Sequence, residues 1–190
     1  MDRLIKKIRE EAYVIDNRII KVDHFINHML DTDLVFEIGK EFSKMFKDAT
    51  KILTIEASGI AFAVSTAFHL NHIPIVFARK NESLITTDKT YSSVVYSYTK
   101  QKESNVIVDK EFLSSNDKVL IIDDFLAMGN ATNGLVDIAE QAGAEVIGVG
   151  IVIEKGFQNG RKKLIEKNLK VHSLANIVRI DDNVLIFEND

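Results

Sequence analysis

The chain contains no cysteine, which removes disulfide frameworks and thiolate metal sites and leaves histidine and carboxylates as the only side chains for metal work. That absence fits a cytoplasmic protein. Positive charge is also short: 24 Lys and Arg stand against 28 Asp and Glu, a formal net charge of −4. A nucleic-acid binder carries a basic footprint, and the one dense basic stretch, Arg161 to Lys163, is three residues on an expected helix face, so no nucleic-acid partner is expected. No apolar run approaches the roughly eighteen residues needed to span a bilayer. The N-terminal MDRLIKKIREEAYV mixes basic with acidic residues and has no apolar segment of signal length, so the expectation is a soluble, untargeted protein without a membrane partner. Internal repeats and low-complexity segments are absent. What remains is 190 residues with 46% apolar and 27% charged side chains, an ordinary globular composition. That is enough for one well-buried domain over residues 1–190 and too little for two.

The most informative stretch is KVLIIDDFLAMGNATNGLVDIAEQAGA, from Lys118 to Ala144. Val119 to Ile122 is a short, β-branched apolar run, which predicts a buried strand. Asp123 and Asp124 are expected to end it, with residues 125–129 forming a turn outside the periodic core. Asn130 or Thr132 can cap the following helix, whose apolar positions Leu135, Ile138, Ala139 and Ala142 recur at three and four. Gly143 suits the residue just past its end. A turn feeding a helix N-terminus offers unpaired N–H groups and the positive end of the dipole, which bind phosphate without a basic side chain. Two carboxylates just upstream would repel that phosphate, so they make sense if ribose hydroxyls, a hydrated Mg2+ or both lie between. The plain structural alternative is an acidic pair before an ordinary turn.

Elsewhere the pattern predicts an amphipathic helix over residues 2–11, then two short strands, 13–15 and 18–22, about an Asp16-Asn17 turn. With residues 23–30 these form a cap on something larger. Asp31, Thr32 and Asp33 offer N-caps to a helix carrying Leu34, Val35, Ile38, Phe42 and Met45. A strand at 52–55, a helix from 60 to about 70 and a strand at 74–78 make a βαβ unit of a parallel sheet. Residues 79–90 read as a polar loop, and 93–99 with 106–108 as a hairpin beyond the sheet. A buried strand at 146–153, a helix from Asn159 or Gly160 to Lys167, and strands from Val171 and over 184–187 complete an α/β fold.

IIDDFLAMGNAT resembles the signature of the type I phosphoribosyltransferases: a hydrophobic strand, two acidic residues, three variable residues, then a Thr-Gly-x-Thr-like turn that holds the 5-phosphate of phosphoribosyl pyrophosphate (PRPP). Asp123, Asp124 and Gly129 match that pattern. Met128 stands where Thr is usual and Ala131 where Thr or Ser is usual, which removes hydroxyl contacts and leaves backbone ones. KVDHFINHMLD and IVIEKGFQNGR have counterparts in the branch of the family that acts on xanthine, so the resemblance covers essentially the whole chain.

The resemblance implies a three-layer fold with a central, mostly parallel sheet and a small hood, contributed mainly by residues of about 1–30 and C-terminal strands of about 169–190. It implies transfer of phosphoribose from PRPP to xanthine in purine salvage, in a homodimer, with Mg2+ held mainly by PRPP. Asp123 and Asp124 become the catalytic pair on the ribose side, with Asp124 the candidate for helping proton removal near N7. Ala127, Met128, Gly129, Asn130 and Ala131 become the phosphate turn. Ala57, Ser58 and Gly59 correspond to the pyrophosphate loop; Ser58 can donate a hydroxyl, Gly59 lets backbone approach an anion, and Ala57 carries no charge. Arg79 and Lys80 would stabilise the leaving pyrophosphate, and a covering loop over residues 81–90 would bring Lys89 or Tyr91 over the ligand. Lys155 is implied to contact the purine, Phe157 to stack on it, Ile20 to form an apolar wall, and Asn27 to read the ring with an amide that both donates and accepts. His24, His28, His69 and His72 read as surface or cap residues. Two alternatives stand beside this: a hypoxanthine or guanine enzyme, and a purine-responsive regulator that senses PRPP without catalysis. The stretch before the first core helix is too short for the winged-helix module such regulators carry.

Overall fold

The computed structural model describes residues 1–81, 88–97 and 102–188. Helix α1 (Asp2–Glu11) buries Leu4 and Ile8 on one face and leads into a hairpin of β1 (Tyr13–Ile15) and β2 (Ile19–Lys21). The turn between them places Asp16 and Asn17 at φ of 51° and 50°, a backbone that suits the right-handed twist of paired strands and that Asp and Asn tolerate best among non-glycine residues. One turn of π-helix, Asp23–Asn27, buries Phe25 and Ile26.

The main body follows as α2 (Thr32–Met45), β3 (Lys51–Ile55), α3 (Ile60–His69), β4 (Ile75–Asn81), β5 (Thr90–Ser97), β6 (Lys102–Asp109), β7 (Lys118–Leu126), α4 (Asn130–Gln141), β8 (Glu145–Lys155), α5 (Gly160–Glu166), β9 (Val171–Asp181) and β10 (Val184–Phe187). Asp31 caps α2 as its sequence suggests, Oδ1 accepting from the Leu34 N–H at 3.1 Å. The eight-stranded sheet runs β10-β9-β8-β7-β3-β4-β6-β5. Its five central strands are parallel, and β10, β6 and β5 are antiparallel additions at the two edges. Successive residues of β7 point to opposite faces: Leu120 and Ile122 join Phe42 and Phe62 in one apolar cluster, while Val119 and Ile121 join Leu135 and Ile138 in the other. Helices on both faces of a mostly parallel sheet give the three-layer α/β architecture.

Three features differ from the sequence expectation. Strand β7 does not stop at the acidic pair but runs through Asp123 and Asp124 to Leu126, because β8 continues alongside it to Lys155 and pairs Leu126 with Glu154. Leu126 is consequently core, 1% exposed. Likewise β4 extends through Arg79 and Lys80 and pairs with β6, so the β5–β6 hairpin widens the sheet rather than lying beyond it. Finally, neither expected residue caps α4. Gly129 occupies that position at φ 75° with no side-chain cap bond; the Asn130 amide donates instead to the Tyr96 carbonyl at 3.0 Å, and the Thr132 hydroxyl faces Asp123. The other end of α4 closes as expected, with Gly143 at φ 71° and the Ala144 N–H reaching the Ala139 carbonyl.

The N-terminal elements are fastened to the body at several points. The Asn17 N–H donates to Asn183 Oδ1 at 3.2 Å and the Asn183 N–H to Asn17 Oδ1 at 2.7 Å, a reciprocal clasp between the β1–β2 and β9–β10 turns. The Met1 amino group donates to the Leu174 carbonyl.

Candidate active site

The parallel strands β3, β4, β7 and β8 deliver their C-terminal ends to one edge of the sheet, where open α/β sheets bind ligands. Asp123 there is 4% exposed. Its Oδ1 accepts from the Asp124 N–H at 3.0 Å, and its Oδ2 lies 3.5 Å from the Thr132 hydroxyl. Burial, and then the neighbouring Asp124, push the Asp123 carboxyl well above the usual carboxylate range, while Lys80 pulls the other way. Asp124 is only half-buried. The pair is therefore asymmetric, one carboxyl locked into the protein and the other within reach of solvent.

Immediately beyond, the turn from Ala127 to Gly129 is pinned from behind. The Gly160 N–H donates to the Ala127 carbonyl at 3.0 Å, Lys163 Nζ to the Met128 carbonyl at 3.0 Å, and both the backbone and side-chain amides of Asn133 to the Gly129 carbonyl at 2.9 and 2.8 Å. Its carbonyls are thus occupied on the side of α4 and α5. The first-turn N–H groups of α4 have no intrahelical acceptor by construction, and among the described residues no side chain caps them. Backbone donors at Asn130, Ala131 and Thr132 are available to an anion, which fits a phosphate turn lacking the usual hydroxyls.

On the other side of the edge, Glu56 to Gly59 connects β3 to α3, with the Glu56–Ala57 peptide cis. Glu56 Oε1 accepts from the Lys80 N–H at 2.7 Å, and Oε2 lies 4.0 Å from Arg79 Nε. A Cβ on Gly59 would stand 2.1 Å from Thr54 Oγ1 and 3.2 Å from the Ile122 carbonyl, so only glycine lets α3 start this close to β7. Ser58 is half-buried, whereas Ala57, Arg79 and Lys80 are exposed. Of the expected covering loop, residues 82–87 lie outside the described residues. Lys89 is exposed, and Tyr91 belongs to β5 and packs on the core cluster beneath α4 rather than over the strand ends.

Around the expected base site, Lys155 ends β8 and its Nζ donates to the Arg18 carbonyl at 3.1 Å, 6.0 Å above the Phe125 ring. Burial, followed by Arg18, lowers the Lys155 pKa. Ile20, two residues on from Arg18, is buried, while Asn27 and Phe157 are exposed. The hairpin and the end of β8 thus meet at Lys155. His24, His28 and His72 are exposed. His69 departs from a plain surface residue: it packs against Phe36 and Phe68 with a buried, unpartnered Nε2. Among the described residues no group of three His, Asp or Glu side chains is placed to hold a metal, and no helix is long and apolar enough to cross a membrane.

Residues that sequence reasoning missed surround this edge: Glu56, Thr132, Lys163, and the buried Glu154 with its partner Arg161. Glu154 was visible only as half of a charged pair after a core strand, and Arg161 only as part of a basic run.

A mostly parallel sheet flanked by helices, with an acidic pair running into a helix N-terminus at its C-terminal edge, is the arrangement in which open α/β sheets take up anionic ligands. The model of the phosphoribosyl transferase domain matches residues 29–182, and the chain belongs to that family. It is 50% identical over 190 residues to a xanthine phosphoribosyltransferase of Clostridium tetani, covering 99% of this chain and 100% of the relative. It is 51% identical over 185 residues to one of Staphylococcus aureus, covering 96% of each. The fold is similar to adenine phosphoribosyltransferase from Trypanosoma brucei in complex with AMP, pyrophosphate and ribose-5-phosphate, with a TM-score of 0.75 at 19% identity over 95% of this chain and 82% of that one. It is similar also to the adenine enzyme of Rhodothermus marinus, with a TM-score of 0.72 at 21% identity over 93% and 100%.

Proposed function

We propose that the protein is a xanthine phosphoribosyltransferase, converting xanthine and PRPP to xanthosine 5′-monophosphate and pyrophosphate in purine salvage. The observation that carries this reading is the run from Asp123 and Asp124 into an uncapped helix N-terminus whose carbonyls are tied back. The choice of base is supported by relatives about 50% identical over nearly the whole chain.

In this reading the N–H groups of the turn over Ala127, Met128, Gly129, Asn130 and Ala131 take the 5-phosphate, and Asp123 and Asp124 take the ribose hydroxyls. Ala57, Ser58 and Gly59 offer backbone donors to pyrophosphate, with Arg79 and Lys80 adding positive charge as the leaving group develops negative charge. The C1′–oxygen bond to pyrophosphate breaks through an oxocarbenium-like state, the C1′–N9 bond forms as the N9 lone pair attacks, and the imidazole-ring proton at N7 is lost, with the half-buried Asp124 carboxylate the candidate to help it leave. Lys155, Phe157, Asn27 and the apolar wall at Ile20 hold the purine. The paired carboxylates of Asp123 and Asp124 fit a Mg2+ carried in by PRPP, which they would help hold on the ribose side and which would supply charge neutralisation on the pyrophosphate. Protein chemistry is otherwise positioning and exclusion of water.

The reading includes a hood formed by residues of about 1–30 with the C-terminal strands of about 169–190, a single domain over 1–190, a homodimer and a cytoplasmic location. The Asn17–Asn183 clasp supports the joint action of the two hood segments.

The test is kcat/KM for xanthine, guanine and hypoxanthine at saturating PRPP, with added Mg2+ and again with excess EDTA. The three bases differ only at position two, and donors facing a second oxygen are left unpaired by hypoxanthine and opposed by the guanine amine. Xanthine is expected to lead by about tenfold or more, Asn27→Ala to narrow the gap, and EDTA to stop turnover. Guanine or hypoxanthine in front would change the substrate and keep the reaction class, and turnover unaffected by EDTA would remove the metal.

A further inference from the structure

The loop that carries Lys155 and Phe157 is closed end to end by an ion pair. Glu154, just before it, is 1% exposed. Arg161 Nε lies 2.8 and 3.0 Å from its Oε1 and Oε2, and Nη2 lies 2.6 Å from Oε2. Ser173 also donates its hydroxyl to Oε2, and the remaining Arg161 donors reach the Val171 carbonyl at 3.2 Å and Ser173 Oγ at 3.1 Å. All three guanidinium nitrogens thus have an acceptor, which fixes Arg161 in orientation as well as position.

What Arg161 fixes is the start of α5. Its neighbour Gly160 donates to the Ala127 carbonyl, and Lys163, two residues further, donates to the Met128 carbonyl. A Cβ on Gly160 would lie 2.4 Å from the Ala127 oxygen, and one on Gly129 would lie 3.0 Å from Gly160 Cα, so the two backbones are in direct contact. The chain from Glu154 to Gly160 therefore begins beside the purine side and ends against the phosphate turn.

We propose that Glu154 and Arg161 are positioning residues that hold the purine loop and the phosphate turn in one fixed relation. This inference rests on the reading of residues 127–131 as the phosphate turn and of residues 155–157 as a base contact. PRPP and purine must approach within bonding distance along one line, and misplacement by an ångström costs rate steeply. A single fork joining both holders sets that separation without touching either ligand.

The experiment compares wild type with Arg161→Lys, Glu154→Gln and Lys163→Met. It uses KM for PRPP and for the purine, kcat, calorimetric binding of ribose 5-phosphate, and melting temperature. Arg161→Lys keeps the charge and loses the fork, so at a temperature where it is fully folded it should raise both KM values, each by about tenfold, and weaken ribose 5-phosphate. Glu154→Gln should move the same pair of constants less. Lys163→Met removes only the Met128 contact, so it should raise the KM for PRPP and weaken ribose 5-phosphate while the purine KM stays at the wild-type value. A purely structural ion pair would lower the melting temperature and leave both KM values of folded protein unchanged, and that result for Arg161→Lys overturns the proposal. Should Arg161→Lys not fold, Glu154→Gln decides: folded Glu154→Gln protein with both KM values and its affinity for ribose 5-phosphate at the wild-type level refutes the proposal. A wild-type protein that neither binds ribose 5-phosphate nor turns over any purine would instead sink the functional reading itself.

Discussion

The two ends of the candidate site, proposed above to take the 5-phosphate and the pyrophosphate, are built on opposite plans. The phosphate end is backbone held by packing: Gly129 in contact with Gly160, three carbonyls tied back by Gly160, Lys163 and Asn133, and a buried Asp123 behind them. At the proposed pyrophosphate end the charged groups, Arg79 and Lys80, are exposed side chains. The Arg79 side chain is 75% exposed and, among the described residues, approaches Glu56 at 4.0 Å, a geometry whose contribution to stability is small. The difference teaches where organisation precedes the ligand and where it waits for it. Donors fixed in advance cost no reorganisation at the moment of reaction, whereas exposed cations gain their strength only when a ligand excludes water.

The contrast breaks most sharply at the carboxylates. Asp123→Asn and Asp124→Asn should lower kcat/KM by roughly tenfold to several hundredfold. Asp123→Asn should also raise the melting temperature of the ligand-free protein. The Asp123 pKa in the folded chain lies above its ordinary 3.8, so folding disfavours the ionised form. That unfavourable contribution is absent well below pH 3.8, grows as the pH rises from there toward the folded pKa, and is complete above it. Melting curves from pH 4 to pH 7 should therefore show the variant's advantage widening with pH; a variant less stable than wild type at neutral pH would refute the assignment.

Next in size is a pair of backbone tests. Gly160→Ala forces a Cβ to 2.4 Å from the Ala127 carbonyl, so the turn must shift, and the KM for PRPP should rise by roughly tenfold or more. Arg79→Ala disturbs no packed neighbour, so it should lower kcat/KM by a smaller factor, roughly three- to tenfold, with no measurable change in melting temperature. If Arg79→Ala proved the more destabilising of the two, the distinction between packed and exposed ends would fail.

The smallest effect lies away from the strand ends. The Lys7 ammonium, and then the Leu34 N–H, hold the Asp31 carboxylate below its ordinary 3.8. Its stabilising contribution is present above that unfolded value and is lost as the pH falls through the lower folded one. Asp31→Asn keeps a capping oxygen and loses the ion pair, so its acid melting curve should be flatter below about pH 4 than that of wild type.

Much of this was legible because it is local. The Asp16-Asn17 turn, the Asp31 cap, the Gly143 terminus and the buried strand over residues 119–122 depend on backbone chirality and on neighbours a few positions away, and each appears as its residues imply. The acidic pair and the glycine after it were also readable, since their chemistry lies in their order. The family resemblance carried the rest of the site list, which composition and spacing do not contain.

What the tertiary structure decided was whatever needed a partner distant in sequence. How far β7 runs past Asp123 depends on β8 continuing beside it, because a strand lasts as long as its backbone groups find a neighbour. The bare N-terminus of α4 depends on Tyr96 drawing Asn130 away and on Asp123 facing Thr132. Glu154 and Arg161 are seven positions apart, and they meet because β8 ends, the chain turns, and α5 starts against the turn over residues 127–129. Sequence sets which groups are available to pair; closing the loops between them settles which pairs form, since that choice is made by the free energy of the whole packed chain rather than by any one stretch of it.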